Sequence, residues 1–282
     1  MKMEETQVLF ELPVTLDDTE YKCQIVKRKI PQKSNFSGNK IHHPFKICPI
    51  KNSKGWNTFA YDEENIENTV VNALSSCTRF DIKHDGACGA LIWNNDSKSY
   101  VAYTRYDIKK NNNGVFAPPK GVDISNWIPC EEKPTAPDAT HFPHFRPISE
   151  DPKQYKWQHF AIEKSQDFIS KMSPDIYSEI VTIEYMGKYF NGKVSDFVGD
   201  VGIVLHGTLQ IVIPEPLRNV RGIRKIFELM PVVEGVVFYP KDSSPMKIRA
   251  EMFEGLRWGD VSPYILTKYG YDGRPLSANV LI

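Results

Sequence analysis

A lysine followed closely by an aspartate and a glycine is the first chemically suggestive feature of this sequence. In Lys83-His84-Asp85-Gly86 the pair Asp85-Gly86 permits a tight approach of the backbone beside the amine. Two distant segments add charge, one beginning with Glu234-Gly235 and the other containing Lys247 and Arg249. The tetrapeptide alone recurs by chance and is more often a surface turn. The three ordered segments together indicate covalent transfer of a nucleotide to a lysine.

This chemistry requires an unprotonated amine, whereas a free lysine with a pKa of about 10.4 is mostly protonated at neutral pH. Neighbouring cations lower that pKa, so Lys247, Arg249 and a bound divalent metal would activate Lys83. The same cations would neutralise charge that develops on an α-phosphate. Glu234 and Glu184 offer oxygen ligands for magnesium or acceptors for ribose hydroxyls. These residue types fit formation of a lysine–nucleotide phosphoramidate.

Short strands and hairpins must position these residues. Ala87–Trp93 and Tyr100–Tyr106, separated by a polar turn, predict a hairpin directly after the lysine motif. Residues 232–239 and 246–250 predict a second hairpin, which makes Glu234, Lys247 and Arg249 available to one face or pocket. Alternation and helical spacing predict further strands at 180–186 and 201–213 and amphipathic helices at 62–75 and 214–230.

The predicted fold class is α+β, with antiparallel sheets flanked by helices. Residues 1–60 predict an N-terminal strand and loop segment packed on a main domain of residues 61–282. Within that domain, the many prolines of residues 107–155 predict a long irregular insertion.

Composition excludes several classes of protein. The 282 residues contain 35 Lys plus Arg and 35 Asp plus Glu, so no overall charge indicates nucleic acid or membrane partners. Five cysteines without a C-x-x-C pair argue against a disulfide framework and a structural zinc site. There is no apolar signal region and no apolar run of about 18 residues. We expect an intracellular, cytoplasmic protein, with a nuclear location left open, that is monomeric and has no membrane partner.

The three charged segments resemble motifs of the ATP-dependent nucleic-acid ligase and mRNA-capping superfamily, whose members attach a nucleotide to the lysine of K-x-D-G. Lys83 matches that lysine, and Asp85 and Gly86 complete its motif. The resemblance therefore implies that these residues belong to a nucleotide-binding site.

The resemblance also assigns roles further along the chain. Arg105 matches a basic residue that contacts the ribose, Glu184 the acidic third motif and Glu234 the fourth. Lys247 matches the first lysine of the fifth motif, whereas Arg249 stands where many members have a second lysine. Arginine keeps the charge but is effectively always protonated, so this residue is expected to bind phosphate and not to shuttle protons.

Three further stretches resemble the compact single-domain 5′-to-3′ RNA ligases: His42-His43-Pro44-Phe45-Lys46, Asn126-Trp127-Ile128-Pro129 and Leu205-His206-Gly207. The resemblance then extends from about residue 20 to the end of the sequence. Few residues follow Arg249, so we expect no C-terminal OB-fold of the kind that DNA ligases and capping enzymes append. The implied fold is a nucleotidyltransferase (ATP-grasp-like) domain.

The function implied by this resemblance is ATP-dependent RNA ligation with Mg²⁺ or Mn²⁺. Lys83 would take AMP from ATP, AMP would pass to an RNA 5′-phosphate, and an RNA 3′-hydroxyl would displace it to seal the strand. A GTP-dependent capping guanylyltransferase, a DNA ligase and a catalytically inactive RNA-binding protein stay open as alternatives.

Other polar residues have less specific patterns. Lys109-Lys110 and Lys120 could guide RNA phosphates or form a solvated charge run. The histidine pairs at 42–43 and 141–144 lack partners at zinc-site spacing, which favours packing or turn roles. The sequence leaves the role of His206 open.

Overall fold

The computed structural model describes residues 6–31, 38–51, 57–62, 66–134, 139–190, 201–230, 233–241, 244–253 and 256. They form two compact units, each with one six-stranded antiparallel sheet. Described residues within Met1–Lys29, Ile41–His84 and Gly207–Asn279 belong to the first unit, and those within Ile30–Lys40 and Asp85–His206 belong to the second. Neither unit coincides with residues 1–60. The α+β class is confirmed.

The strands and helices are numbered in chain order. The strands are β1 (Thr6–Leu16), β2 (Thr19–Arg28), β3 (Lys46–Lys51), β4 (Asn57–Asp62), β5 (Phe80–Lys83), β6 (Ala87–Asn94), β7 (Ser99–Lys109), β8 (Ile128–Pro129), β9 (His141–Pro147), β10 (Ile180–Met186), β11 (Gly202–Leu205), β12 (Leu209–Val212), β13 (Gly235–Phe238) and β14 (Met246–Arg249). The α-helices are α1 (Asn68–Ser76), α2 (Lys156–Lys164), α3 (Gln166–Ile169), α4 (Pro174–Tyr177) and α5 (Val220–Leu229), and short 3-10 helices span Ile148–Glu150, Glu215–Leu217 and Ala250–Met252.

The sheet of the first unit has the strand order β1-β2-β12-β5-β13-β14. Phe10, Leu12 and Val14 alternate along β1 and are buried, as expected for a strand with one face in the core. Helix α5 packs against β1. Its first turn is capped by Asn219, whose side-chain oxygen accepts a hydrogen bond from the backbone nitrogen of Gly222 at 2.9 Å.

The sheet of the second unit has the strand order β11-β10-β6-β7-β9-β8. One of its faces carries the main hydrophobic core, which includes Ile183 and Tyr185 of β10, Ile203 of β11 and Ala161 of α2. Because side chains alternate along a strand, Glu184 of β10 lies on the opposite face of this sheet. That face carries the polar residues described below.

Both predicted hairpins are confirmed, as β6–β7 and β13–β14. The prediction of one strand over 201–213 is wrong, because a turn after Leu205 separates β11 from β12, and the two strands join different sheets. The helices predicted at 62–75 and 214–230 begin later in the structure, at Asn68 and Val220.

Strand β9 was not predicted, and it lies within residues 107–155. Its two prolines, Pro143 and Pro147, make a strand unexpected, because proline has no backbone N–H to donate to a neighbouring strand. They are tolerated because its outer neighbour, β8, is only two residues long, so most of β9 is effectively an edge.

The expected absence of an OB-fold concerns residues 257–282, which lie outside the described residues. No helix within the described ranges is long and apolar enough to cross a bilayer.

The β5–β13 core gives a stability prediction. Phe238 is fully buried, and its ring centroid lies 6.2 Å from that of Phe80. Phe238→Ala is expected to lower the free energy of unfolding by about 3–5 kcal/mol, because it removes buried apolar surface and leaves a cavity. Val212→Ala on β12, where the side chain is 47% exposed, should change it by less than about 0.5 kcal/mol. Urea denaturation measures both variants, and similar losses would contradict this assignment of the core.

Candidate active site

Lys83 and Glu234 form an ion pair in the first unit, although 151 positions separate them in sequence. Lys83 is the last residue of β5 and pairs in register with Gly235, the first residue of β13. Glu234 therefore directly precedes the neighbouring strand, and its Oε2 accepts a hydrogen bond from Lys83 Nζ. The two side chains are 22% and 8% exposed. Their attraction is stronger than at a fully hydrated surface, because less water screens it.

One cationic residue of β14, Arg249, lies next to this pair, and the other, Lys247, lies further along the strand in register with Val237. Arg249 pairs with Gly235, and its Nη1 lies 3.9 Å from Glu234 Oε1 and 2.7 Å from Glu251 Oε1. Lys247 is half-buried and lies two residues earlier on the same face of the strand. The predicted site residues of the first unit thus lie on, or directly before, three adjacent strands, β5, β13 and β14, and Lys83, Glu234 and Arg249 are close together.

This arrangement suits attack by an amine on a phosphate. Glu234 orients Lys83 Nζ and is in position to accept its proton. Lys247 and Arg249 provide positive charge to which a phosphate can bind. The geometry can therefore supply a nucleophile, a proton acceptor and an electropositive surface from residues of one sheet and its edge.

His43 is a residue of this region to which the sequence assigned only packing or a turn. His42 pairs with β14, and its carbonyl accepts a hydrogen bond from the Lys247 nitrogen at 2.9 Å. The pKa of His43 is lowered, above all by burial and then by Lys247, Arg249 and His42, while a hydrogen bond with the backbone of Phe45 raises it. A neutral imidazole can exchange hydrogen bonds with a ligand beside these cations without adding charge.

A buried polar network on β5 was not visible in the sequence either. Asp81 lies two residues before Lys83 on the same face, and its Oδ2 is 2.7 Å from Arg79 Nη2. Its Oδ1 accepts a hydrogen bond from Gln210 Nε2 at 2.8 Å, and Gln210 Oε1 accepts one from Arg28 Nε at 2.8 Å. The network joins β5 to β12 and β2 and fixes the strand that carries the lysine.

In the second unit, Glu184 is 8% exposed, and its Oε2 lies 2.9 Å from His206 Nε2. The β10–β11 pairing continues past Leu205, since the His206 nitrogen donates to the Thr182 carbonyl at 3.1 Å. His206 therefore lies diagonally across from Glu184 on one face. Because an ionised carboxylate only accepts, His206 Nε2 is the donor. The role that the sequence left open is thus contact with Glu184.

Arg105 lies on the same face of this sheet as Glu184. Its Nε is 3.4 Å from Asp107 Oδ1. Burial lowers the pKa of Arg105, but its neighbours outweigh burial and raise the pKa overall; they are Cys88, Asp107, Glu184 and Cys130. The guanidinium is therefore surrounded by groups that favour its charge.

Asp85 is half-buried, and Gly86 lies directly against β10. A Cβ at position 86 would lie 2.3 Å from the Tyr185 carbonyl oxygen and 2.6 Å from Glu184 Cγ. Only glycine fits this close approach. The second unit thus brings Gly86, Arg105 and Glu184 together with His206.

Metal binding in such a site does not require a large cluster of ligands. Within the described ranges, no group of three or more His, Cys, Asp and Glu side chains is placed to hold a metal. Magnesium, however, takes only one or two carboxylates together with phosphate oxygens and water. Glu234 in the first unit and Glu184 in the second each provide a carboxylate of this kind.

The Asp81 network gives a second stability prediction. Asp81→Asn should lower the free energy of unfolding by about 2–4 kcal/mol, because it removes the carboxylate charge that pairs with the largely buried Arg79 guanidinium. Asp17 and Arg221 form an exposed pair, with side chains 67% and 72% exposed, and Asp17→Asn makes the same chemical change there. That control should lose less than about 1 kcal/mol. Equal losses in urea denaturation would show that the Asp81 network does not stabilise β5.

Comparison of the sequence with protein-family models and with curated proteins gave no match. The function is therefore inferred from the chemistry and geometry of these residues.

Proposed function

We propose that this protein is an ATP-dependent 5′-to-3′ RNA ligase that joins RNA 5′-phosphate and 3′-hydroxyl ends through a Lys83–AMP intermediate. The observation that carries the proposal is the contact of Lys83 with Glu234, beside Arg249 and on the sheet that also carries Lys247. These residues come from three separate motifs of the resemblance, so their meeting on adjacent strands is what the proposed chemistry needs.

In the first step, Lys83 Nζ attacks the α-phosphorus of ATP. A nitrogen–phosphorus bond forms, the bond to the bridging oxygen breaks, and pyrophosphate leaves. Glu234 accepts the proton that the amine loses, since its carboxylate already contacts Nζ. Lys247 and Arg249 neutralise the charge on the phosphate oxygens, and magnesium bound at Glu234 or Glu184 would add to that neutralisation.

The later steps use the same electrostatic features. An oxygen of the RNA 5′-phosphate attacks the lysine-bound AMP, and the nitrogen–phosphorus bond breaks. An RNA 3′-hydroxyl then attacks the activated 5′-phosphate and AMP leaves. Because each step is an in-line displacement at phosphorus, positioning and charge neutralisation dominate. Arg249 serves as a phosphate binder throughout, because its guanidinium does not give up a proton.

Residues of the second unit complete the proposal through the family resemblance. Arg105 would contact the nucleotide ribose, and Asp85 and Gly86 would let the nucleotide approach the backbone. Glu184 would bind a ribose hydroxyl or the metal. Its hydrogen bond with His206 would hold the carboxylate in one orientation.

Label transfer tests the proposal. The protein incubated with magnesium and α-labelled ATP should become labelled, and addition of nicked or looped 5′-phosphorylated RNA should release AMP and give sealed product. Lys83→Ala and Lys83→Arg should remove the label, because neither side chain can supply a reactive amine. Lys22→Ala should keep it, since Lys22 is 68% exposed on β2.

Each alternative predicts a different outcome of the same experiment. Labelling by GTP in preference to ATP would indicate a guanylyltransferase, and sealing of DNA alone would indicate a DNA ligase. An unlabelled wild type would indicate a catalytically inactive RNA-binding protein. Equal labelling of wild type and Lys83→Ala would remove Lys83 from the mechanism.

The Glu184–His206 contact predicts a difference between two substitutions. In His206→Gln the amide nitrogen can donate to Glu184, whereas His206→Ala has no donor. We expect His206→Ala to lower kcat/KM for adenylylation about 10-fold or more, since a hydrogen bond to a charged group contributes about 1.5–3 kcal/mol. His206→Gln should recover most of the loss. Single-turnover rates measure this effect, and thermal melts show whether each variant folds. Equal activity of the two variants would exclude a positioning role.

A further inference from the structure

Charged side chains gather in the second unit where β7 ends and β9 begins. Lys109 pairs directly with His141, so the two side chains share one face of the sheet. Arg105, Asp107 and Lys109 alternate along β7 and lie on this same face. Lys40 reaches it from a distant part of the sequence, with its Nζ 2.9 Å from His141 Nδ1. We call Lys40, Asp107, Lys109 and His141 the basic corner.

The hydrogen bonds of His141 determine which ring nitrogen carries the proton. Its Nδ1 lies 2.9 Å from Lys40 Nζ and 2.7 Å from Thr140 Oγ1. A charged ammonium group can only donate, so Nδ1 is the acceptor and the proton lies on Nε2. His141 is therefore a neutral ring with an N–H donor. This contact brings no negative charge to Lys40 from the part of the chain that the structure describes.

The electrostatic environment of His141 is positive. Burial lowers the pKa of His141, and Lys40, Lys109 and Arg105 lower it further, while Asp107 raises it. Three cations thus surround the ring with one opposing carboxylate. A bound anion would stabilise this arrangement.

Asp107 adds an acceptor to the basic corner. Its Oδ1 is buried and makes no hydrogen bond to the described part of the chain, although Arg105 Nε is 3.4 Å away. The Asp107 side chain is nevertheless 25% exposed, so its carboxylate can accept a hydrogen bond from a ligand hydroxyl. The corner therefore combines donors suited to a phosphate with one acceptor suited to a hydroxyl group.

Lys40 is held in place by the packing of Gly38. This glycine has a φ of +88°, and a Cβ on it would lie 2.2 Å from Phe145 Cζ and 2.9 Å from Cys130 Sγ. Only glycine allows the backbone to lie this close to β9. Lys40 follows two residues later, so its position is fixed by a buried contact even though its side chain is exposed.

We propose that the basic corner binds the ribose-phosphate group of a nucleotide, with Lys40, Lys109 and His141 contacting the phosphate and Asp107 accepting a hydrogen bond from a ribose hydroxyl. A 2′-hydroxyl next to a phosphate is also the feature that distinguishes RNA from DNA. The inference rests on the proposed function for the two molecules that could supply this group, which are the RNA strand and ATP.

Binding measurements without magnesium separate these two sources. Fluorescence anisotropy would follow a single-stranded 5′-phosphorylated oligoribonucleotide and the matching oligodeoxynucleotide, and calorimetry would follow ATP. If the corner holds RNA, Lys40→Met should weaken oligoribonucleotide binding about 10-fold and reduce the slope of log K against log salt by about 0.7, because one phosphate contact is lost. If it holds ATP, the same variant should weaken ATP binding about 10-fold and leave the oligonucleotide unaffected.

A control and a second variant make the test specific. Lys98→Met removes an equal charge at the opposite end of β7 and should bind both ligands as wild type does. Asp107→Ala should lower the ratio of RNA to DNA affinity several-fold. It removes the acceptor of the RNA 2′-hydroxyl, whereas DNA has no 2′-hydroxyl and should bind as before. An unchanged ratio would exclude the hydroxyl contact if RNA is the ligand bound there.

Failure of this inference is distinguishable from failure of the proposed function. Wild-type affinity of Lys40→Met for both RNA and ATP would overturn the basic corner, whatever the labelling experiment gives. Absence of a Lys83 adduct in the wild type would overturn the ligase proposal, whatever the binding experiment gives. Thermal melts of Lys40→Met and Asp107→Ala confirm that the variants compared are folded.

Discussion

The register between β5 and β13 is the constraint on which the candidate site of the first unit depends. It sets Lys83 opposite Gly235 and so brings Glu234 to the lysine amine. A shift of one residue would turn the lysine to the other face of the sheet and separate the pair. Strand β12 holds β5 from its other side through the hydrogen bond between Gln210 and Asp81. Lys83 is therefore positioned by both strands that neighbour β5.

Stability alone is a weak explanation for the Lys83–Glu234 pair. Removing two charges from water costs desolvation energy that their mutual attraction only partly offsets, and apolar residues often serve stability as well. Glu234 nevertheless accepts a hydrogen bond from Lys83 at Oε2, and its Oε1 lies 3.9 Å from Arg249 Nη1. The carboxylate therefore lies between two cations, and Arg249 also contacts Glu251 at 2.7 Å.

The sequence was informative where the chemistry has ordered motifs and poor where it depends on register. Lys83, Glu234 and Arg249 could be expected to meet, because each belongs to a recognisable segment. Asp81 and Gln210 have no such signal, since polar residues in strands reveal their partners only when the strand order is known. The Glu184–His206 contact was hidden for a related reason. The sequence predicted one continuous strand over 201–213, whereas β11 ends at Leu205 and a turn follows. His206 lies at the start of that turn, beside β10.

The K-x-D-G tetrapeptide crosses the boundary between the two units along the chain. Lys83 and His84 belong to the first unit, and Asp85 and Gly86 belong to the second. Lys83 is fixed by strand pairing with β13, whereas Gly86 is fixed by its close approach to the backbone of Tyr185 in β10. Each half of the motif is thus held by a different sheet. A larger residue at position 86 would push on β10, and that strand carries Glu184. The glycine therefore protects the position of a carboxylate that is remote from it in sequence.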